Sequence, residues 1–123
     1  GAIHSLSHPI GALYDTHHGM TNAVFMPYVL AFNRGAIEER IVRLANYIGI
    51  KGGFDGFAKA ILDLRTELKV PHALPGLIKD LYMDDARKEL IAEMAIVDPT
   101  AGGNPVELTK QGAHKLLNEA IKG

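Results

Sequence analysis

The sequence predicts an all-α fold, a bundle of about five or six helices within 123 residues. Two observations carry this. Apolar residues recur at helical spacing through most of the chain, and alternating period-2 stretches are nearly absent. Glycine- and proline-rich breaks at Gly49–Gly53, Pro71–Gly76 and Asp98–Pro105 cut that periodicity into helix-sized pieces.

The first stretch is rich in histidine. His4, His8, His17 and His18 fall within fifteen positions. Imidazole suits Zn, Fe, Cu and Ni, and its neutral-range titration suits proton transfer. His4 and His8 are four apart and share one face of a helix. Pro9 disfavours the helical region for His8, and Gly11 follows, so the helix is expected to end near His8. A reversal through Tyr14-Asp15-Thr16 would then bring His18 back beside the pair. By spacing alone His4 and His8 would be the ligand pair, and ordinary surface histidines are an equal alternative, since no Cys and only Asp15 nearby completes a ligand set.

Met20 to Phe32 is apolar on almost every side, so it is expected to be the buried central helix, with Pro27 kinking it or loosening one turn. Ile37, Ile41, Leu44, Ala45 and Ile48 mark an amphipathic helix with Glu38, Glu39 and Arg40 on its wet side. Phe57, Ile61, Leu64 and Leu68 mark the next, stopped before Pro71. A loop follows, and Leu77 to Tyr82 has room for a short helical turn. Asp84 and Asp85 open a helix with negative charge at its positive end, and Leu90, Ile91, Met94 and Ala95 face inward. Thr109 is placed to cap a last helix whose inner face is Ala113, Leu116, Leu117, Ala120 and Ile121. The core expected from these patterns is Val24, Phe25, Val29, Leu44, Ile61, Leu64, Leu90, Ile91 and Leu117.

Composition limits the partners. With 13 basic and 14 acidic residues the net charge is −1, which supplies no electrostatic reason for nucleic acid or an anionic membrane. The most apolar run, Ala23 to Phe32, is far short of the ~20 residues a membrane span needs. Zero Cys excludes disulfides and thiolate metal sites and fits a cytoplasmic enzyme.

The residues His4, His8-Pro9, Gly11, His18-Gly19, Asn22-Ala23, Pro27 and Phe32-Asn33 form a long, specifically spaced pattern. It resembles the iron-dependent (group III) alcohol dehydrogenases. The resemblance continues through Leu64-Arg65, Val70-Pro71, Asp98 and Asn104-Pro105 to the final helix, and covers only the C-terminal part of that family's usual chain. It implies the helical C-terminal domain of the dehydroquinate-synthase-like fold, a single metal- and substrate-binding domain over residues 1–123, with the N-terminal nucleotide-binding domain absent. In the family an Asp and three His hold one divalent metal, iron or sometimes zinc. The last two of these ligands match His4 and His18, whereas His8 becomes a catalytic, non-ligating residue beside the nicotinamide and substrate. The parent activity implied is reversible oxidation of a primary alcohol or hydroxy acid to the aldehyde with NAD or NADP, by a cytoplasmic homo-oligomer. The chain alone is then an inactive fragment. The alternative is a stand-alone helical metal-binding or interaction domain without catalysis.

Of the remaining candidates, His17, Gly19 and Asn104 are expected to be structural, and Thr100 lies in the family's loop near the cleft. Asn22 is placed to bond the neighbouring loop, and Asp15 to form a surface turn or support a histidine. His72 and His114 are expected to be solvated, without partners. Gly52-Gly53 is a weak phosphate-loop candidate because no strand precedes it.

Overall fold

The computed structural model describes residues 1–123 as six α-helices joined by loops and two 3-10 turns, without a strand. The helices are α1 (Ala2–Tyr14), α2 (His18–Phe32), α3 (Arg34–Tyr47), α4 (Gly53–Glu67), α5 (Asp85–Val97) and α6 (Lys110–Lys122). The 3-10 turns are Leu74–Gly76 and Ala101–Gly103. The helical turn in the fourth loop therefore sits at Leu74–Gly76, upstream of the Leu77–Tyr82 stretch expected to hold it. The all-α class and the helix count follow the periodicity.

Helix α1 does not end near His8. It runs through Pro9 to Tyr14 and is capped by Asp15 in the left-handed conformation, whose N–H donates to the Gly11 carbonyl at 3.0 Å. A proline inside a helix costs one backbone hydrogen bond and clashes with the preceding turn. Here Pro9 is buried with Leu6 and Ile10, and that burial offsets the local penalty. Burying Leu6 and Ile10 alone is worth about 1.5–3 kcal/mol each. Helix α2 likewise runs through Pro27 as one element.

The buried centre is α1 rather than α2: six of its thirteen residues are buried, against four of fifteen in α2. Ser5 and Ser7 explain the difference, since both are small enough to let neighbouring helices approach on faces that hydropathy scores as wet. α1 packs on α2 and α5, and α6 closes the bundle against α5 and α2. The core joins Ala2, Leu6, Ile10, Val24, Phe25, Val29, Ile91, Leu116 and Leu117 with Val70, Leu74, Leu108 and four further alanines. Asp84 and Thr109 cap α5 and α6, accepting from the Arg87 and Gly112 N–H groups at 2.8 and 3.1 Å.

Three expected core residues are on the surface: Leu44, Leu64 and Leu90 are 42%, 49% and 41% exposed, and Ile61 is half-buried. The cause for the first two is that α3 packs mainly on α4, and α4 in turn on α2, so this hairpin leans on one side of the bundle and has one covered face. On α4 that face is turned one residue from the expected stripe, and Phe54 and Arg65 are the buried positions. The Arg65 guanidinium donates to the Val24 carbonyl at 3.3 Å and meets the His72 ring at 3.0 Å. Leu90 lies about 100° around α5 from the buried Ile91.

Phe25→Ala should cost about 3–5 kcal/mol in urea unfolding, and Leu44→Ala less than about 1 kcal/mol. Equal losses would mean that the α3–α4 hairpin is part of the core.

Candidate metal centre

The site is built by α1, α2 and the Asp98–Pro105 loop. Continuity of α1 through Pro9 keeps His4 and His8 one turn apart on its exposed face. The chain then reverses in three residues. Asp15 takes the left-handed conformation, and the Thr21 hydroxyl bonds the Thr16 hydroxyl at 2.8 Å and the His17 carbonyl at 3.0 Å. His17 caps α2, its Nδ1 accepting from the Met20 N–H at 3.4 Å, which is a structural role. His18 is therefore the first residue of α2 and lies against the α1 pair.

The three imidazoles come together as the motif suggested. Ring centroids are 5.2 Å apart for His4–His18, 5.5 Å for His8–His18 and 5.9 Å for His4–His8. They are not equivalent. Asn22, one turn along α2 from His18, brings its Nδ2 within 3.0 Å of His18 Nε2 and 3.4 Å of His4 Nε2. An amide nitrogen donates only, so both Nε2 atoms present lone pairs to one point. That is the tautomer a divalent cation also requires. Asn22 thus bonds the histidines, not the loop backbone. Its Oδ1 is buried without a partner.

His8 instead faces a carboxylate. Its Nδ1 lies 2.7 Å from Asp98 Oδ2, across ninety positions of sequence. The other oxygen, Oδ1, accepts from the Thr100 N–H at 2.8 Å and the Thr100 hydroxyl at 2.6 Å. Burial by itself would push the Asp98 carboxyl up. The Thr100 hydroxyl, the His8 ring and the Thr100 N–H together outweigh it and hold the group down at about 2. The same loop reaches α1 again through Asn104, whose Oδ1 accepts from the Ala2 N–H at 3.1 Å and thereby caps α1. Asn104 also exchanges amide hydrogen bonds with Asn33 at 2.7 and 3.1 Å. The loop therefore lies along α1, with Asp98 at His8 and Asn104 at the helix start.

Other candidates fall outside. Asp15 is an exposed helix cap that makes no histidine contact. His72 and His114 have partners after all. The His72 ring sits between Arg65 and Thr66, and its carbonyl accepts from the Tyr28 hydroxyl at 2.5 Å. His114 Nε2 meets Glu89 at 2.6 Å. The largest cleft, about 470 Å³ between α2, α4 and the end of α6, is lined by none of the three site histidines. No group of three or more His, Asp or Glu side chains in the chain is arranged to hold a metal ion, the His4, His8 and His18 cluster included. Sequence reasoning missed Asp98 as a partner of His8 and Asn22 as the bridge between His4 and His18.

The Asp98 shift has a pH consequence. Its folded value lies below the ordinary 3.8, so the stability it contributes is fully present above about pH 4 and lost as pH falls through about 2. Asp98→Asn should therefore be less stable than the parent chain at pH 6, with the difference closing between about pH 4 and about pH 2 in urea titrations. A gap that does not change with pH would contradict the ionised, hydrogen-bonded carboxylate.

Both the sequence and the fold of the chain have known relatives. Residues 1–121 match the family described as Fe-containing alcohol dehydrogenase family, C-terminal. The chain is 33% identical over 125 residues to 1,3-propanediol dehydrogenase of Klebsiella pneumoniae, covering 98% of itself and 32% of that protein. It is 31% identical over 122 residues to NADPH-dependent butanol dehydrogenase of Clostridium saccharobutylicum, covering 95% and 31%. Among solved structures, an iron-containing alcohol dehydrogenase from Thermococcus thioreducens superposes with a TM-score of 0.86 at 28% identity, over 100% of this chain and 32% of that one. The chain spans about a third of the length of the curated relatives it matches. With the family pattern running from residue 1 to residue 121, the chain belongs to the iron-containing alcohol dehydrogenase family and corresponds to its C-terminal domain.

Proposed function

We propose that these 123 residues form the metal- and substrate-facing helical domain of an NAD- or NADP-linked alcohol dehydrogenase that interconverts a primary alcohol or hydroxy acid and its aldehyde. The observation that carries this reading is the convergence of His4 Nε2 and His18 Nε2 on a single amide nitrogen, at 3.4 and 3.0 Å. Two imidazole nitrogens addressing one point suit Fe2+ or Zn2+. His4 and His18 would hold the ion, with the rest of the ligand set and the nucleotide site supplied by an upstream domain. The relatives' names support the substrate class: butanol, 1,3-propanediol and lactaldehyde enzymes all match this chain.

When bound, the ion would supply Lewis acidity and the nicotinamide would supply the hydride acceptor. This chain's own residues do the rest. His4 and His18 orient the site from two antiparallel helices that the bundle holds rigid. His8 lies beside them without sharing their Asn22 contact and is free to accept the alcohol proton and pass it to solvent, a task for imidazole. Its side chain is 42% exposed on this domain. Residues 1–123 would belong to one domain of the longer protein, for which a homo-oligomer is the expected assembly.

The 123 residues by themselves should bind Fe2+ or Zn2+ weakly and should not reduce NAD or NADP with an alcohol, because hydride transfer needs donor and acceptor held together. A longer protein carrying the upstream part should do both. There, His18→Ala should abolish tight metal binding, whereas His8→Ala should keep the metal and lower turnover. Metal analysis after dialysis and a dehydrogenase assay on both lengths check the set. One equivalent of tightly held metal in the 123-residue chain, without turnover at either length, would favour a stand-alone metal-binding domain instead.

A further inference from the structure

The carboxylate of Asp98 differs from the other acids of the chain. The remaining ion-paired acids, Glu38, Asp55, Asp63, Glu89 and Glu93, have side chains 42–79% exposed, as solvated surface pairs do. The Asp98 side chain is 11% exposed, and no Lys or Arg pairs with it. Placing a carboxylate there is costly without hydrogen bonds. Both oxygens are engaged: Oδ1 by two donors from Thr100 and Oδ2 by His8 Nδ1. Thr100 lies two residues beyond Asp98, so the loop itself fixes the plane of the carboxylate before His8 meets it. Asn104 fastens the other end of the loop to the first turn of α1, which fixes the loop's register along the helix.

We propose that Asp98 is a positioning residue. It holds the His8 imidazole in one tautomer, with the proton on Nδ1, and in one orientation beside His4 and His18. A carboxylate accepts only, so the ring nitrogen facing it must carry hydrogen. Nε2 is then left with its lone pair free of the carboxylate, on a ring 5.9 Å from His4 and 5.5 Å from His18. Without Asp98 the neutral ring would divide between tautomers and could turn about its side-chain bonds, since no other hydrogen bond holds it. The effect on turnover rests on the reading of His8 given above; the effect on the ring does not.

Long-range proton–nitrogen correlation spectra of the 123-residue chain test the ring directly. His8 is expected in the Nδ1–H form. Asp98→Asn should convert it to a mixture or to the Nε2–H form, and Asp98→Glu should retain part of the original population. If Asp98→Asn does not fold, Thr100→Val serves in its place and should reduce the Nδ1–H population. An unchanged His8 tautomer in either folded variant overturns the proposal. In the longer, metal-loaded protein, Asp98→Asn should lower kcat about 10–100-fold while leaving KM and bound metal unchanged, and should add less than about twofold in a His8→Ala background. Loss of bound metal, or the same fall in the His8→Ala background, overturns it. If His8→Ala leaves turnover intact, the catalytic reading of His8 fails, and the spectra still decide what Asp98 does to the ring.

Discussion

The site depends on a helix that continues where its own sequence invites it to stop. Pro9 follows His8 directly, and a break there would let the two imidazoles of α1 splay apart. Burial of Pro9 among Leu6 and Ile10 keeps the helix intact to Tyr14. The i, i+4 relation of His4 and His8 is thus enforced by packing on the opposite face of the helix, not by local propensity. The three-residue reversal at Asp15–His17 then sets α2 antiparallel to α1 and places His18 within ring contact of both. The core residues of α1 and its chemical residues occupy different faces of one element, so damage to the core would be transmitted to the site.

The Asp98–Pro105 loop ties together residues that lie far apart in the sequence. Asn104 caps α1 at Ala2 and is locked to Asn33 at the end of α2 by reciprocal amide bonds. Asp98, at the far end of the loop, reaches His8. One loop therefore joins the start of α1, the end of α2 and the middle of the site. Helices α3 and α4 stand apart from this arrangement, anchored mainly through the contact of α4 with α2 and the buried guanidinium of Arg65.

Local patterns in the sequence foretold helix number, the caps at Asp84 and Thr109, and the gathering of His4, His8 and His18. These depend on spacing, dihedral preference or a short turn. What escaped was long-range. Nothing around Asp98 announces a partner ninety positions away, and a loop rich in turn residues reads as a loop whatever it touches. Leu44, Leu64 and Leu90 are exposed against the pattern because periodicity shows that a helix has an apolar face but not whether a neighbour covers it. On α4 the covered face is offset by one residue, enough to bury Arg65 and expose Leu64. The contact of Asn22 with His4 depends on how α1 and α2 cross, which spacing alone does not determine.

The central claim is that His4 and His18, and not the closer-spaced pair His4 and His8, face a common ion. Anomalous diffraction from the longer, metal-loaded protein tests it most directly. The expected result is one metal peak at about 2.0–2.2 Å from the Nε2 atoms of His4 and His18, with His8 outside ligation distance and still bonded to Asp98. A peak ligated by His8, or one that leaves either His4 or His18 uncoordinated, would contradict it.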